Sequence, residues 1–290
     1  MPKKRRNNNS QIAKATKSLG TKIAIAIGVL VAVAFVIAVV RPQIMYRVPY
    51  LGRVFAYADF MLRGPRVPEG GLYGIDVSKH QGAISWEEVD LRYDLMSRRM
   101  STEGAVIHKI FFAIAKASEG TTLDDSLYER NRNGANKAGA KFGAYHYFSY
   151  ITDPLLQAKH FIRTAKLETG NIAPVLDIEE DGVLTRLIKQ NKISKEAIQQ
   201  KAMTWLNAVE QEYNCKPIIY TSANFKEDYL DSEAFNEYPL WIAHYQVSAP
   251  RYEGDIWQFT EQGKINGIKG DVDINVFSGD AKAFERLLIK

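Results

Sequence analysis

Residues 173–182 read APVLDIEEDG, an apolar run that turns to acid within a few positions. In an extended strand successive side chains alternate faces, so Asp177 and Glu179 share one face with Val175, and Ile178 takes the other. By the same alternation Glu180 points away from the pair. Carboxyls at i and i+2 lie about 6–7 Å apart at the backbone, twice the strand rise. That separation suits two groups handling one glycosidic bond, one as acid and one as base, nucleophile or charge stabiliser. The plain alternative is an acidic turn that follows a strand.

Outward from this stretch the chain repeats one pattern. Apolar, β-branched or aromatic runs recur at 72–78, 111–116, 141–148, 173–179, 216–222, 239–245, 255–260 and 271–277. Helix-like segments lie between the first five, at 86–100, 126–138, 154–168 and 195–214, with Gly139, Gly170 and Pro217 punctuating the joins. Strands alternating with helices predict an α/β fold with a parallel sheet and helices outside, and eight strands predict closure into a barrel. The last three strands follow at intervals of about 16 residues, too short for long crossover helices. The expected architecture is therefore an irregular TIM-like (β/α)5β3 barrel. The final AKAFERLLIK puts Phe284, Leu287 and Leu288 on one helical face, as a closing element.

In such a barrel the working residues sit at the C-terminal ends of strands. Those ends read Asp76, Lys116, Tyr147, Asp177 with Glu179, Tyr220, His244 with Tyr245, Gln258 and Asp273. Aromatic faces can stack on sugar rings while acids and amides bind hydroxyls. Each residue also has an ordinary reading: Asp76 capping a turn, Lys116 pairing with an acid, Tyr145, Tyr147 and Tyr220 as rim aromatics. The five histidines lack metal-ligand spacing, and neither GxSxG nor GxxxxGK[ST] occurs. A single cysteine, Cys215, excludes an internal disulfide and reads as a packed small hydrophobe. No metal and no cofactor is expected; what remains is carboxylate chemistry.

The 290-residue chain carries a net charge of +5, unevenly placed. Without the first 22 residues the balance is about −2, so the basic pI belongs to a tail and gives no nucleic-acid-binding face. Residues 1–21 form that basic tail. From Ile23 to Val40 run 18 apolar or glycine residues, ended by Arg41-Pro42. That length and the lack of a polar face predict a membrane-spanning helix at 22–40. A cleavable signal peptide is the alternative, disfavoured because the apolar run is longer than a signal core. Basic residues before the span place the N-terminus in the cytoplasm and the rest beyond the inner membrane, in the periplasm or outside the cell. Residues 41–70, rich in Arg, Tyr, Phe and Pro-Gly pairs, read as a juxtamembrane linker, and 71–290 as the barrel domain.

YGIDVSKHQGAISW, FFAIAKASEGTTLDD, AGAKFGAYHYF, APVLDIE, KPIIYTS, LWIAHY and IWQFTEQGKINGIKGDVDINVF occur in this order. From Tyr73 to Phe277 the chain thereby resembles the glycoside hydrolase family 25 lysozymes, the Chalaropsis-type N-acetylmuramidases. The resemblance implies an irregular barrel that cleaves the β-1,4 bond between N-acetylmuramic acid and N-acetylglucosamine in peptidoglycan, with retention. It implies Glu179 as general acid of the DxE motif and Asp177 as its partner, with Asp76 and Asp273 completing an acidic floor. Gln81, Lys116, Tyr145, Tyr147, Tyr220, Trp241, Tyr245, Trp257 and Gln258 are the candidate substrate-binding residues. Like-charge repulsion from Asp177 and Asp76, aided by burial, is expected to raise the pKa of Glu179. The expected partner is the glycan strand, the expected state a monomer. The competing function is a tethered glycan-binding module with little or no catalysis, which loss of an acid would favour; all four acids are present.

Overall fold

Strand β1 (Leu72–Val77) is hydrogen-bonded on both sides, antiparallel to β11 (Val272–Phe277) and parallel to β4 (Phe112–Glu119), and this double pairing closes the sheet. The structure, a computed structural model, describes residues 65–290. From β4 the barrel continues through β6 (Lys141–Tyr147), β7 (Val175–Asp177), β8 (Ile218–Ser222), β9 (Leu240–Ala243) and β10 (Ile256–Gly263) to β11. The first seven barrel strands run parallel to their neighbours; β11 alone is reversed. A two-residue strand, β5 (Leu123–Asp124), folds back on β4.

Alternation sorts the strand residues into two cores. Val175 faces inward with Phe112, Ile114, Ile218 and Ile256, whereas Leu176 and Ile178 pack outward in the layer beneath the helices. That layer is covered by α1 (Tyr128–Lys137), α2 (Pro154–Ala165), α3 (Gly182–Lys189), α4 (Lys195–Tyr213) and the short α5 (Ala223–Tyr229). The helices begin where the sequence supplies caps: Asp153, Asp181, Ser194 and Ser222 each accept a hydrogen bond from a backbone N–H of the first turn. α2 and α4 end at Lys166 and Asn214 in left-handed conformation. The C-terminal segment forms α6 (Ala281–Phe284) and a 3-10 turn, and seals the barrel floor. The ring of Phe284 lies 5.0–5.3 Å from those of Phe277, Phe111 and Phe112.

Two sequence expectations are corrected. The segment 86–100 is not a helix: a 3-10 turn at Trp86–Glu88 leads into a hairpin of β2 (Asp90–Tyr93) and β3 (Val106–Lys109). Val89, Leu91 and Tyr93 are buried at a period of two, the strand period, and this burial overrides a weak helical pattern. Asp273 sits near the start of its strand, not the end; it reaches the common rim because β11 is reversed. Within the stretch read as linker, residues 66–68 pack on the hairpin. Arg66 bridges to Arg99, Val67 is 1% exposed, and Arg98 binds the carbonyls of Val67 and Pro68. The basic tail at 1–21, the apolar run at 22–40 and residues 41–64 lie outside the described residues. Among the described residues no helix is long and apolar enough to cross a membrane.

Candidate active site

The strands converge at one rim on a cleft of about 410 Å³. Asp76, Asp177, Glu179 and Asp273 line it, together with Lys116, Tyr145, Tyr147, Tyr220 and Trp241. Asp177 ends β7, and Glu179 follows two residues later on the same face, as alternation requires. The hydroxyl of Tyr150 donates to the carbonyl of Glu179 at 2.5 Å and fixes the backbone there. Glu180 is exposed and accepts a hydrogen bond from Thr185 at 3.0 Å.

Asp76 and Asp273 are direct partners across the antiparallel β1–β11 pair, which puts their side chains on one face. Asp76 is the most heavily supported acid. Its Oδ2 accepts from Gln258 Nε2 at 2.7 Å and Asn275 Nδ2 at 2.8 Å, and Asp273 hydrogen-bonds to it as well. Gln258 is held in turn by the hydroxyls of Tyr220 (2.8 Å) and Tyr245. Asn275 accepts from Trp241 Nε1 at 2.7 Å. This wiring of donors favours the ionised form of Asp76 and the protonated form of Asp273.

Burial raises the pKa of all four acids. Asp273 is pushed to about 9 by burial first and then by the Asp76 charge. Glu179 is pushed to about 7 by burial, then by Asp76, Asp181 and Glu261, with Lys116 acting against the shift. Asp177 lies well above the usual carboxylate range, through burial and then the charge of Glu179. The two acids of the DxE motif thus titrate as a unit that retains a proton near neutral pH. Repulsion was expected to lead at Glu179; burial leads instead, with Asp76 second. Asp177 lines the cleft, and its Oδ1 is buried with no hydrogen-bond partner among the described residues.

Lys116 pairs with Glu119 at 2.6 Å and lies 4.7 Å from the centre of the Tyr147 ring. Tyr220 and Trp241 meet edge-on at 4.6 Å. Burial raises the phenol pKa of Tyr145, Tyr147 and Tyr220, so each keeps its proton as a hydrogen-bond donor.

Four sequence candidates fall outside the cleft lining. Gln81 turns back on its own segment: its Oε1 accepts from the backbone N–H of Ser78 at 2.8 Å, completing a capping box. Trp257 packs in the outer layer and donates to the carbonyl of His244 at 2.9 Å. Gln258 and Tyr245 lie behind the acids, as supports. Conversely, Ser78, His80 and Glu119 line the cleft and were not singled out, and Asn275 was missed altogether. Its signal was present: Asn275 follows Asp273 by two residues and so shares its face. Among the described residues no group of three or more His, Cys, Asp or Glu side chains is arranged to hold a metal ion.

Comparison with known proteins agrees with this geometry. Residues 75–268 match the pattern of Glycosyl hydrolases family 25. The chain is 36% identical over 217 residues to the uncharacterized protein YegX of Escherichia coli (strain K12), covering 74% of this chain and 72% of that one. It is 30% identical over 228 residues to Lysozyme M1 of Streptomyces globisporus, covering 73% and 69%. Among solved structures, the bacterial lysozyme from Streptomyces coelicolor superimposes with a TM-score of 0.63 at 26% identity, over 76% of this chain and 98% of that one. A family 25 glycosyl hydrolase from Bacillus anthracis gives 0.62 at 26% identity, over 76% and 95%.

Proposed function

Since this chain belongs to glycosyl hydrolase family 25, we propose that it is a muramidase, cleaving the β-1,4 bond from N-acetylmuramic acid to N-acetylglucosamine in peptidoglycan. The observation that carries this reading is the pairing of Asp177 and Glu179, both with raised pKa, in a cleft walled by tyrosines and Trp241. Protonated Glu179 gives its proton to the glycosidic oxygen as the bond to the anomeric carbon breaks. Asp177 opposes the positive charge that develops on the sugar. Water then adds to the anomeric carbon and gives its proton to Glu179, now the base, which completes hydrolysis and restores the acid. Asp76, protonated Asp273 and their amide supports hold the floor.

Mass spectrometry of fragments released from purified peptidoglycan tests the bond cleaved. Reducing-end muramic acid is expected; reducing-end glucosamine would make the enzyme a glucosaminidase, and no fragments would leave a binding module.

We further propose that residues 22–40 hold the chain in the inner membrane with the catalytic domain outside. The 18-residue apolar run and the basic residues before it support this. A reporter active only outside the cytoplasm, fused after residue 64, should be active. Activity of a cytoplasmic reporter at the same point reverses the orientation, and a mature chain starting at about residue 35 means a cleaved signal.

A further inference from the structure

The hairpin that replaces the expected first helix carries a feature the catalytic reading does not use. At its turn Leu95 is 66% exposed and Met96 90% exposed. The turn is tightly specified. The side chain of Asp94 accepts from the backbone N–H groups of Met96 (3.2 Å) and Ser97 (2.8 Å), and its main chain pairs with Arg98 and Arg99. Two large apolar side chains are therefore held out in water by an ordered turn, at a cost folding gives no return for.

Position in the fold supplies the reason. Tyr73 lies three residues before Asp76 on β1, about 10 Å down the strand from the cleft rim. The hairpin packs at that level: His108 meets the Tyr73 ring at 5.1 Å, Tyr93 stacks on His108 at 5.6 Å, and Arg98 reaches the Tyr73 hydroxyl. The turn thus lies toward the end of the barrel where β1 begins, away from the cleft. The chain enters at the same place: the backbone N–H of Val67 donates to Arg98 at 2.9 Å and Arg66 bridges to Arg99. Between Val40 and Pro65 the sequence holds Arg41, Arg47, Arg53 and Arg63 against the single acid Asp59, interleaved with tyrosines and phenylalanines. Arginine with aromatics is the composition of a bilayer interface.

We propose that the Leu95–Met96 turn seats the domain on the outer surface of the bilayer that holds residues 22–40, with the cleft facing away toward the wall. This rests on the membrane reading above. Two side chains alone bind a bilayer weakly, but a tethered domain meets it at high effective concentration, so a weak contact is enough to set orientation.

The test uses the full chain with Cys215→Ser, reconstituted in vesicles containing anionic lipid and lipid brominated on its acyl chains. An environment-sensitive fluorophore is attached through Val31→Cys, Met96→Cys or Leu156→Cys; Leu156 is apolar and 54% exposed at the rim end of α2. Quenching is expected at 31 and 96 and not at 156, and Leu95→Glu should abolish it at 96 while leaving 31 quenched. Quenching at 31 with none at 96 overturns the docking and leaves the span standing. Equal quenching at 96 and 156 overturns the orientation. No quenching at 31 removes the span and the docking with it.

Discussion

Glu179 and Glu180 are chain neighbours with opposite surroundings, and that contrast makes a sharp test of the site. Glu179→Gln keeps shape and hydrogen bonding but cannot give a proton, so turnover should fall about 10²–10⁴-fold while glycan binding survives. Asp177→Asn should be comparably damaged, because the charge facing the oxocarbenium-like state is lost. Glu180→Gln should stay within a few-fold of the parent in the same wall-hydrolysis assay, since its carboxylate is exposed and accepts from Thr185, away from the cleft. A dead Glu180→Gln with an active Glu179→Gln would reverse the register. The pH dependence follows from the same residue. Glu179 acts protonated, and its pKa is about 7, so kcat/KM should decline as pH rises through that value. Asp76→Asn removes the neighbouring charge that ranks second among the causes of that shift, so the alkaline limb should move to lower pH. At this scale strand alternation made the DxE pair legible. The same rule, applied to DVDINV, would have found Asn275. Gln81 falls outside the cleft lining because a polar residue in a motif can serve the backbone; Ser-x-x-Gln at 78–81 is also a capping box.

Among elements, the barrel strands were legible because each is a short apolar run bounded by turn residues, whereas the first crossover was not. Residues 86–100 are rich in helix-forming residues, and only burial of Val89, Leu91 and Tyr93 against the barrel selects the strand. The reversal of β11 was also hidden, because a side-chain pattern of period two reads the same in both directions. The element that covers this irregular crossover is α1, and it does so through Gly134. A methyl group there would lie 2.0 Å from Cδ1 of the buried Trp86. Gly134→Ala should therefore lower stability by up to about 2 kcal/mol, an overpacking cost of about 1–3 kcal/mol less a helix-propensity gain of about 1 kcal/mol. A higher melting temperature for this variant would mean the Trp86 ring yields without cost. The entry segment makes a second element-scale prediction. A chain begun at Pro65 should melt cooperatively, and one begun at Gly71 should melt lower, because it lacks the buried Val67 and the carbonyls that hold Arg98.

At the scale of the whole molecule, two buried groups of opposite kind set limits on the pH range of stability. His146 is fully buried between Ser118 (2.9 Å) and Gln157 (3.1 Å), stacked on Trp205, and burial lowers its pKa to about 3. An unfolded histidine titrates near 6.5. The unfolded chain therefore binds the extra proton between those values, and stability from this group falls as pH drops from about 6.5 to about 3. The acid cluster has the reverse sign. Asp273 holds its proton in the folded state up to about 9, whereas an unfolded aspartate loses it near 3.9, so folding becomes less favourable as pH rises across that interval. Between about 4 and 6.5 the two slopes oppose each other; above that only the acid cluster continues, joined in the same direction by the one proton that the Asp177–Glu179 pair retains. The melting temperature of the full chain in detergent should thus be highest near pH 4–6.5 and decline toward pH 9. Asp273→Asn removes the proton that must be lost while keeping a donor beside Asp76. It should flatten the alkaline decline without changing the acidic one, even though wall hydrolysis is impaired. A variant whose melting curve follows the parent from pH 7 to 9 would show that Asp273 does not carry the cluster's proton, and the proton at the cleft floor would then belong to Asp76.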